Sequence, residues 1–414
     1  MLEALRLANF KAFDDVELPL GPLTLLTGQN SSGKSTALQA MALIQQSYTG
    51  NQLDYEVRAA DPQSYGDAAA WGARLDTGGV PTSLGFLLNG ELVELGTGED
   101  VLYERGVLDA GEDDRVVRIG LRDRAGLVYE WGVDGSVDQD LLPLVDLGVP
   151  ALSEGTAAPE GRAALYPSFL AEGFQYLHAD RISPATSYPR SHLVAVDRGF
   201  LGTHGEHTVN YLRHHADSQV PEGPLRHPRA VGFSLLEQVQ EWLRDLCPGV
   251  NVETSVIQGT DDVRLSYGFG DNTVFSSTRR RRPTNMGFGL TNALPVVVAC
   301  LTARPGSLVL IENPEAHLHP QGQTRMAALA AAAAAQGAQL IIETHSDHVV
   351  NGARLAVKQG VLSGAQTVVH YFRGNETGRG VDVASPRVGD DGKLDHWPDG
   401  FFDEFENTLD QLLD

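Results

Sequence analysis

The chain is 414 residues long, enough for a substantial core in two or three lobes; 42% of it is hydrophobic, and no apolar run reaches the roughly 18–20 residues of a membrane span. Fifty-four acidic against 31 basic residues give a formal charge of −23 at pH 7, so the surface as a whole repels phosphate backbones and any nucleic-acid contact has to be local. Two cysteines, Cys247 and Cys300, without CxxC spacing argue against a disulfide framework or a cysteine zinc site, and the opening MLEALRLANFKAF lacks a cleavable apolar core, so a cytoplasmic protein is expected.

The first element with chemical content is LTLLTGQNSSGKSTALQAMALIQ at residues 23–45. An apolar run over 23–26 predicts a strand, and Leu38, Met41 and Ala42 at helical spacing predict a helix directly after the loop. Between them GQNSSGKS fits G-x-x-x-x-G-K-[ST] at Gly28, Gly33, Lys34 and Ser35. Glycines let backbone N–H groups wrap phosphates, the helix start adds its dipole, Lys34 reaches the β and γ phosphates, and Ser35 takes magnesium. Asn30, Ser32 and Thr36 belong to the same cradle. A glycine-rich turn that binds nothing would not require motif and flanks to agree, so ATP or GTP is expected here.

Residues 51–284 read as a β-rich segment with some helix. SLGFLLNGELVELG places Asn89-Gly90 between apolar runs, VVRIGLRDRAGLVYEWGV turns at 124–126, and VRLSYGFGDNTVFSS turns near Asp271 and Asn272. Residues 143–162, rich in glycine and proline, predict a loop or linker. In LLEQVQEWLRDL, Leu235, Val239, Trp242 and Leu246 share one helix face before Pro248 and Gly249 stop it. No sustained heptad run appears, so long coiled-coil arms are not expected. The one dense basic run, Arg279 to Arg282, either meets a phosphate or is a solvated loop.

GFGLTN at 287–292 sets Gly287 and Gly289 before an apolar helical run, exposing N–H groups at a helix start; an ordinary glycine turn before a core helix reads the same way. SLVLIE then predicts a buried strand with Glu312 at its carboxyl end, where a P-loop protein needs an acid for magnesium. A zinc site on His317, His319 and Glu315 competes for IENPEAHLHP, but an i, i+2 histidine pair shares no helix face and no third ligand follows at metal-site spacing. A metal-dependent hydrolase using His317, His319, His345 and His348 is the corresponding outside reading. AALAAAAAAQ from 327 suits a packed or surface helix. AQLIIETHSDHVV predicts another short buried strand ending at Thr344, His345 and Ser346, with His345 either sensing a γ-phosphate or capping the next helix. HWPDGFFDEF gathers Trp397, Phe401, Phe402 and Phe405 around a turn, to be docked on the body or offered to a partner.

The order GQNSSGKST, IENPEAHLHP, ETHSDH resembles the ABC-type ATPase heads of the SMC, Rad50 and OLD-like group, and more narrowly the bacterial AAA-type ATP-binding proteins with a short uncharacterised C-terminal domain. LRLANFKAFDD, ELVELG, YLHADRISP, GTHGEHT, GFGLTNALPVVVA and HWPDGFF carry the narrower likeness. The resemblance implies an α/β P-loop NTPase fold of ABC-ATPase head type with an inserted β-rich lobe. Its parts would be the first half of the head at 1–50, the lobe at 51–284, the second half at 285–385 and a tail at 386–414. ATP and Mg2+ are the implied cofactors. GFGLTN would stand in for the ABC signature, with Gly287, Gly289 and Leu290 offered to the γ-phosphate of a partner, so that a homodimer or higher homo-oligomer closes around ATP.

Asn313 departs from the pattern, because the hydrolysing relatives usually carry a glutamate after the magnesium acid. An amide can orient water but not take its proton, so either hydrolysis is slow or Glu315 acts instead; Glu315 also reads as a helix-start carboxylate. His345 completes the implied catalytic set. The segment after His345 is too short for the nuclease domain of OLD-like relatives, so a separately encoded effector, such as a nuclease, is expected in anti-phage defence or DNA maintenance. A nucleotide-clamped scaffold with negligible hydrolysis is the alternative. Gln45 and Gln46 read as ordinary helix residues rather than the glutamine that couples ABC sites to their second lobe.

Overall fold

The computed structural model describes residues 1–10, 13–42, 173–270, 280–374, 381–398 and 400–403, the strands at 84–88, 91–96, 117–123, 128–133 and 151–152, and positions 408, 411 and 412. Three strands open the chain, β1 (Leu2–Phe10), β2 (Phe13–Pro19) and β3 (Leu23–Gly28), followed by helix α1 over residues 34–42. Next come β4 (Leu84–Leu88), β5 (Glu91–Gly96), β6 (Val117–Asp123), β7 (Val128–Val133) and the short β8 (Ala151–Leu152). From residue 173 the chain forms β9 (Gln175–Leu177), β10 (Tyr188–Pro189), α2 (Thr208–His214), α3 (Leu235–Leu246), β11 (Val250–Val256) and β12 (Asp262–Phe269). The last part holds α4 (Phe288–Thr302), β13 (Leu308–Glu312), α5 (Pro320–Ala335), β14 (Gln339–Glu343), α6 (Asp347–Lys358), β15 (Thr367–Gly374) and β16 (Val381–Ala384).

The site rests on a six-stranded sheet in the order β16-β15-β3-β14-β13-β9, parallel throughout except for β16 at one edge. Its strands are continuous apolar runs because both faces are covered. Leu26, Leu308, Leu310, Ile341 and Phe372 face a core shared with Leu38 and Met41 of α1 and with Leu5, Leu7 and Leu18 of the first two strands. Their neighbours Leu25, Val309, Ile311, Leu340, Ile342 and Val369 face the other core, with Val297, Leu329 and Val350 of α4, α5 and α6. The period-2 alternation of a strand thus assigns each run residue to one of two cores.

The described strands of 51–284 are shared among several sheets. β6 pairs with β1 and β7 with β6, extending the antiparallel sheet that β1 and β2 begin, while β9 is an edge strand of the central sheet beside β13. Hairpin strands flank Asn89-Gly90, with Leu88 opposite Glu91, and likewise flank 124–126, with Arg122 opposite Val128. Within the stretch 143–162 read as a loop, Ala151–Leu152 forms a two-residue strand against β7. β12 pairs with β11, which precedes it; the turn expected at Asp271 and Asn272 lies outside the described residues, as do Arg279, Gln45, Gln46 and Phe405.

Helix α3 begins at a capping box in which Ser234 and Glu237 satisfy each other's backbone, and it buries Leu235, Val239 and Trp242. Helix α5 uses its alanines for close packing. A Cβ on Gly352 of α6 would lie 2.7 Å from Ala327 Cβ and 2.9 Å from Thr324 O, so small residues on both helices set their separation. At 16 residues α5 is the longest fully described helix, and among the described residues no helix is long and apolar enough to cross a membrane.

The tail is docked. Phe401 is fully buried, with ring centroids 5.2 Å from Tyr371 of β15 and 4.8 Å from Trp397, and Tyr371 Oη donates to Gly400 O at 2.9 Å. Arg354 of α6 lies over the Trp397 ring at 5.4 Å. In the basic run, Arg280 pairs with Glu253 at 2.9 Å and the Arg281 backbone pairs with Tyr267. Arg282 is exposed.

Candidate functional site

Three neighbouring parallel strands, β3, β14 and β13, end side by side. Leu26 pairs with Glu343 and Glu343 with Glu312, so the register sets two carboxylates next to each other and next to the loop that leaves β3. This is the carboxyl edge of an α/β sheet, where ligands bind.

The loop after β3 is held tightly. Gly28 has φ 137°, and a Cβ there would lie 2.0 Å from Phe372 O, so only glycine fits beside β15. Gln29 N donates to that same carbonyl at 3.2 Å. Ser31 and Gly33 also have positive φ, 59° and 90°. Ser32 Oγ donates to Gln29 O at 2.6 Å, closing the loop on itself, while Asn30 is exposed and Thr36 half-buried. Lys34 turns inward to donate to Gly28 O at 3.3 Å and Gln29 O at 2.5 Å, with Glu343 Oε1 4.0 Å away. Burial holds the Lys34 ammonium below its usual range, and Glu343 opposes that shift.

Glu343 is 5% exposed. Burial pushes its carboxyl up to about 7; the Ser35 hydroxyl bond and Lys34 pull it down, while Glu312 and Glu315 push it further up. Glu312 is fixed differently, accepting from Tyr176 Oη at 2.7 Å and from Ala179 N at 3.0 Å. Arg181 caps the end of β13. Its guanidinium donates to Glu312 O and, at 3.1 Å, to Asn313 O, and burial lowers it to about 10.

Asn313 takes φ 43°, a left-handed conformation that asparagine tolerates better than glutamate, and its N–H donates to Glu343 O at 2.8 Å. The turn at this position is therefore part of what the asparagine supplies. Glu315 Oε1 accepts from His345 N at 2.8 Å, and burial raises its carboxyl above the usual range. The His345 ring stands 3.9 Å from Glu343 Oε1, and burial and Lys34 hold its imidazole below the usual range, with the Gly28 backbone opposing that shift. Asn313 Oδ1, Glu315 Oε2, Glu343 Oε2 and Arg181 Nε are all buried without a partner among the described residues.

The segment 287–290 packs against His317. Gly287 and Phe288 are exposed, Phe288 tilts over the His317 ring at 5.5 Å, and a Cβ on Gly289 would lie 2.6 Å from His317 O. Leu290 is buried in the core, so it has no free side chain to offer. Among the described residues no hydrogen bond or ion pair joins 287–290 to 28–36. The histidines of the zinc and metal-hydrolase readings go separate ways: His317 packs on Phe288, His319 Nδ1 accepts from Gln321 N at 3.4 Å as a helix cap, and His348 faces Asp347. Among the described residues no group of three His, Cys, Asp or Glu could hold a metal ion.

Sequence reading passed over Glu343, Arg181 and Tyr176. A signal for Glu343 was present, since SLVLIE and AQLIIE are matching six-residue runs ending on the same acid. Tyr176, on β9, and Arg181, in the loop after it, reach the site from more than a hundred residues away, which no local pattern reveals.

Three segments match known families: residues 1–68 the "AAA ATPase domain", residues 249–351 the "AAA domain, putative AbiEii toxin, Type IV TA system", and residues 362–412 a "Protein of unknown function (DUF3696)". A 44-residue stretch is 48% identical to an OLD nuclease of Thermus scotoductus (strain ATCC 700910 / SA-01), covering 11% of this chain and 8% of that relative, so the chain spans a small part of the curated relative it matches. Solved neighbours include an SMC head bound to the C-terminal winged-helix domain of ScpA, at TM-score 0.44 and 16% identity over 94% of this chain and 98% of that one. A second, the SMC head domain from Thermotoga maritima, has TM-score 0.35 and 11% identity over 92% and 98% of the two chains. The order of the motifs on one parallel sheet, together with ATPase-domain matches to the segments that carry them, supports an ABC-type ATP-binding ATPase similar to the SMC/Rad50/OLD-like group.

Proposed function

We propose that this ATPase binds ATP with magnesium at the edge of β3, β14 and β13, closes as a head-to-tail homodimer around it, and thereby controls a separately encoded effector. The observation that carries the reading is the convergence of Lys34, Ser35, Glu312, Glu315 and His345 on the carboxyl ends of three adjacent parallel strands. Gly28, Asn30, Ser32, Gly33 and Thr36 shape the phosphate cradle. The donor set fits magnesium, because carboxylate and hydroxyl oxygens are the hard ligands it prefers and the buried Glu343 Oε2 has no partner among the described residues. Ser35 and Glu312 are the assigned holders; when bound, magnesium neutralises charge on the phosphates.

Lys34 exchanges its carbonyl partners for phosphate oxygens. His345, neutral and against the P-loop backbone, reads the γ-phosphate. Glu315 orients water or takes its proton, with Asn313 positioning water by its unpartnered Oδ1. Gly287 and Gly289 act on a partner's nucleotide through backbone N–H groups at the start of α4, with Phe288 exposed beside them. A cytoplasmic setting, a nuclease effector and a role in anti-phage defence or DNA maintenance follow by analogy with the matched group.

A second reading, an ATP-clamped scaffold, is favoured by one observation: the residue after Glu312 is an amide in a left-handed turn, so no carboxylate stands there. Single-turnover phosphate release from the purified chain with Mg-ATP separates the two. Released phosphate supports the cycling switch; bound, intact ATP supports the clamp; no bound ATP overturns both.

A further inference from the structure

Glu343 has no role in the assignments above, yet it is the acid closest to the P-loop. It lies 4.0 Å from Lys34 Nζ and 3.9 Å from His345 Nε2, neighbours Glu312 in register, and has its carboxyl held down by the nearby Ser35 hydroxyl. Glu312, by contrast, already has both carboxylate oxygens committed, to Tyr176 Oη and Ala179 N. Glu343 is 5% exposed, and its Oε2 has no hydrogen-bond partner among the described residues. A buried carboxylate with one oxygen unpartnered demands compensation.

We propose that Glu343 is a second carboxylate of the magnesium site and that it makes nucleotide binding depend on the metal. The inference rests on reading this site as a magnesium–nucleotide site. Its logic is an exchange of cations. Without nucleotide, Lys34 is the cation nearest Glu343. When Lys34 turns to the phosphates, Glu343 is left buried beside Glu312 and Glu315 and facing a further negative group, an arrangement that like-charge repulsion disfavours. A divalent cation at Ser35 restores the balance. Nucleotide alone therefore binds poorly, and the metal-free cost falls on Glu343.

The test is fluorescence anisotropy of mant-ATP on the full chain, titrated with Mg2+, for wild type and Glu343→Gln. Glutamine keeps the shape and removes the charge. The expected result is metal-free binding as tight as wild type or tighter, with the Mg2+ midpoint raised roughly 10–100-fold. Mn2+ electron paramagnetic resonance with ATP gives the independent readout, with weakened Mn2+ retention in the variant. An unmoved Mg2+ midpoint overturns the proposal, as does equal loss of mant-ATP binding with and without metal, which would make Glu343 a support of the P-loop itself. If the glutamine variant fails to fold, Glu343→Asp is read by the same two criteria. A wild-type chain that binds no mant-ATP, with Lys34→Ala indistinguishable from it, overturns the nucleotide reading and this inference together.

Discussion

Holding Glu343 where it is should cost stability in the nucleotide-free chain, and the cost should depend on pH. Its carboxyl is raised from 4.5 to about 7, chiefly by burial, a difference of about 3 kcal/mol between its two protonation states. For an acid raised on folding, the native chain binds the proton more tightly than the unfolded one. The penalty is therefore absent below about 4.5, grows as pH rises through the interval to about 7, and is complete above it. Glu343→Gln removes the titrating group while keeping the side chain's shape. Urea unfolding of both proteins, free of nucleotide and divalent metal, at about pH 5 and about pH 8 isolates the effect. The stability of the variant relative to wild type should shift in the variant's favour by up to about 3 kcal/mol between those conditions. A gap that stays constant with pH, or moves toward wild type, refutes the argument that burial strains this carboxylate.

Lys34→Ala removes the charged donor assigned to the phosphates and should weaken mant-ATP binding by about 100-fold or more, the loss expected for two charge-assisted hydrogen bonds. Near wild-type affinity would remove the lysine from the site. His345→Ala should leave that affinity largely intact while slowing single-turnover phosphate release by roughly 100-fold, as for other preorganised groups at reacting phosphates or carbonyls; an affinity loss matching that of the lysine variant would contradict a sensing role. Phe401→Ala empties a fully buried ring site between Tyr371, Trp397 and Phe402 and should cost about 3–5 kcal/mol in urea unfolding. A loss under about 1 kcal/mol would mean that the tail is not part of the cooperative fold.

The parts legible in the sequence were those whose chemistry is local. LTLLTG, LVLIE and QLIIE announce buried strands through unbroken apolar runs, and Gly28 is demanded by a carbonyl of the adjoining strand as well as by the phosphate motif. The capping box of α3 lies within four consecutive residues, Ser234 to Glu237. What stayed hidden was assembled by register and by distant chain. Glu343 becomes a partner of Ser35 only because β14 lies between β3 and β13, and Arg181 reaches the end of β13 from the loop after β9. Asn313 looked like a missing base; the backbone shows that it also makes a left-handed turn, which reading side-chain chemistry alone overlooks. Leu290, read as part of the surface offered to a partner, is held in the core by the same helical periodicity that marks α4 as buried.

Two consecutive residues of β15 face two ends of the molecule's business. Phe372 O receives the amide of Gln29 in the P-loop, and Tyr371 Oη holds Gly400 of the tail over Phe401. A single peptide unit thus lies between the nucleotide cradle and the C-terminal aromatic cluster. In hydrogen-exchange terms, the Gln29 amide is protected by the same strand on which the tail is seated, so its exchange rate is a built-in gauge of whether the tail is in place. Unseating the aromatic cluster should loosen β15 at Tyr371, and faster exchange of the Gln29 amide is the expected readout.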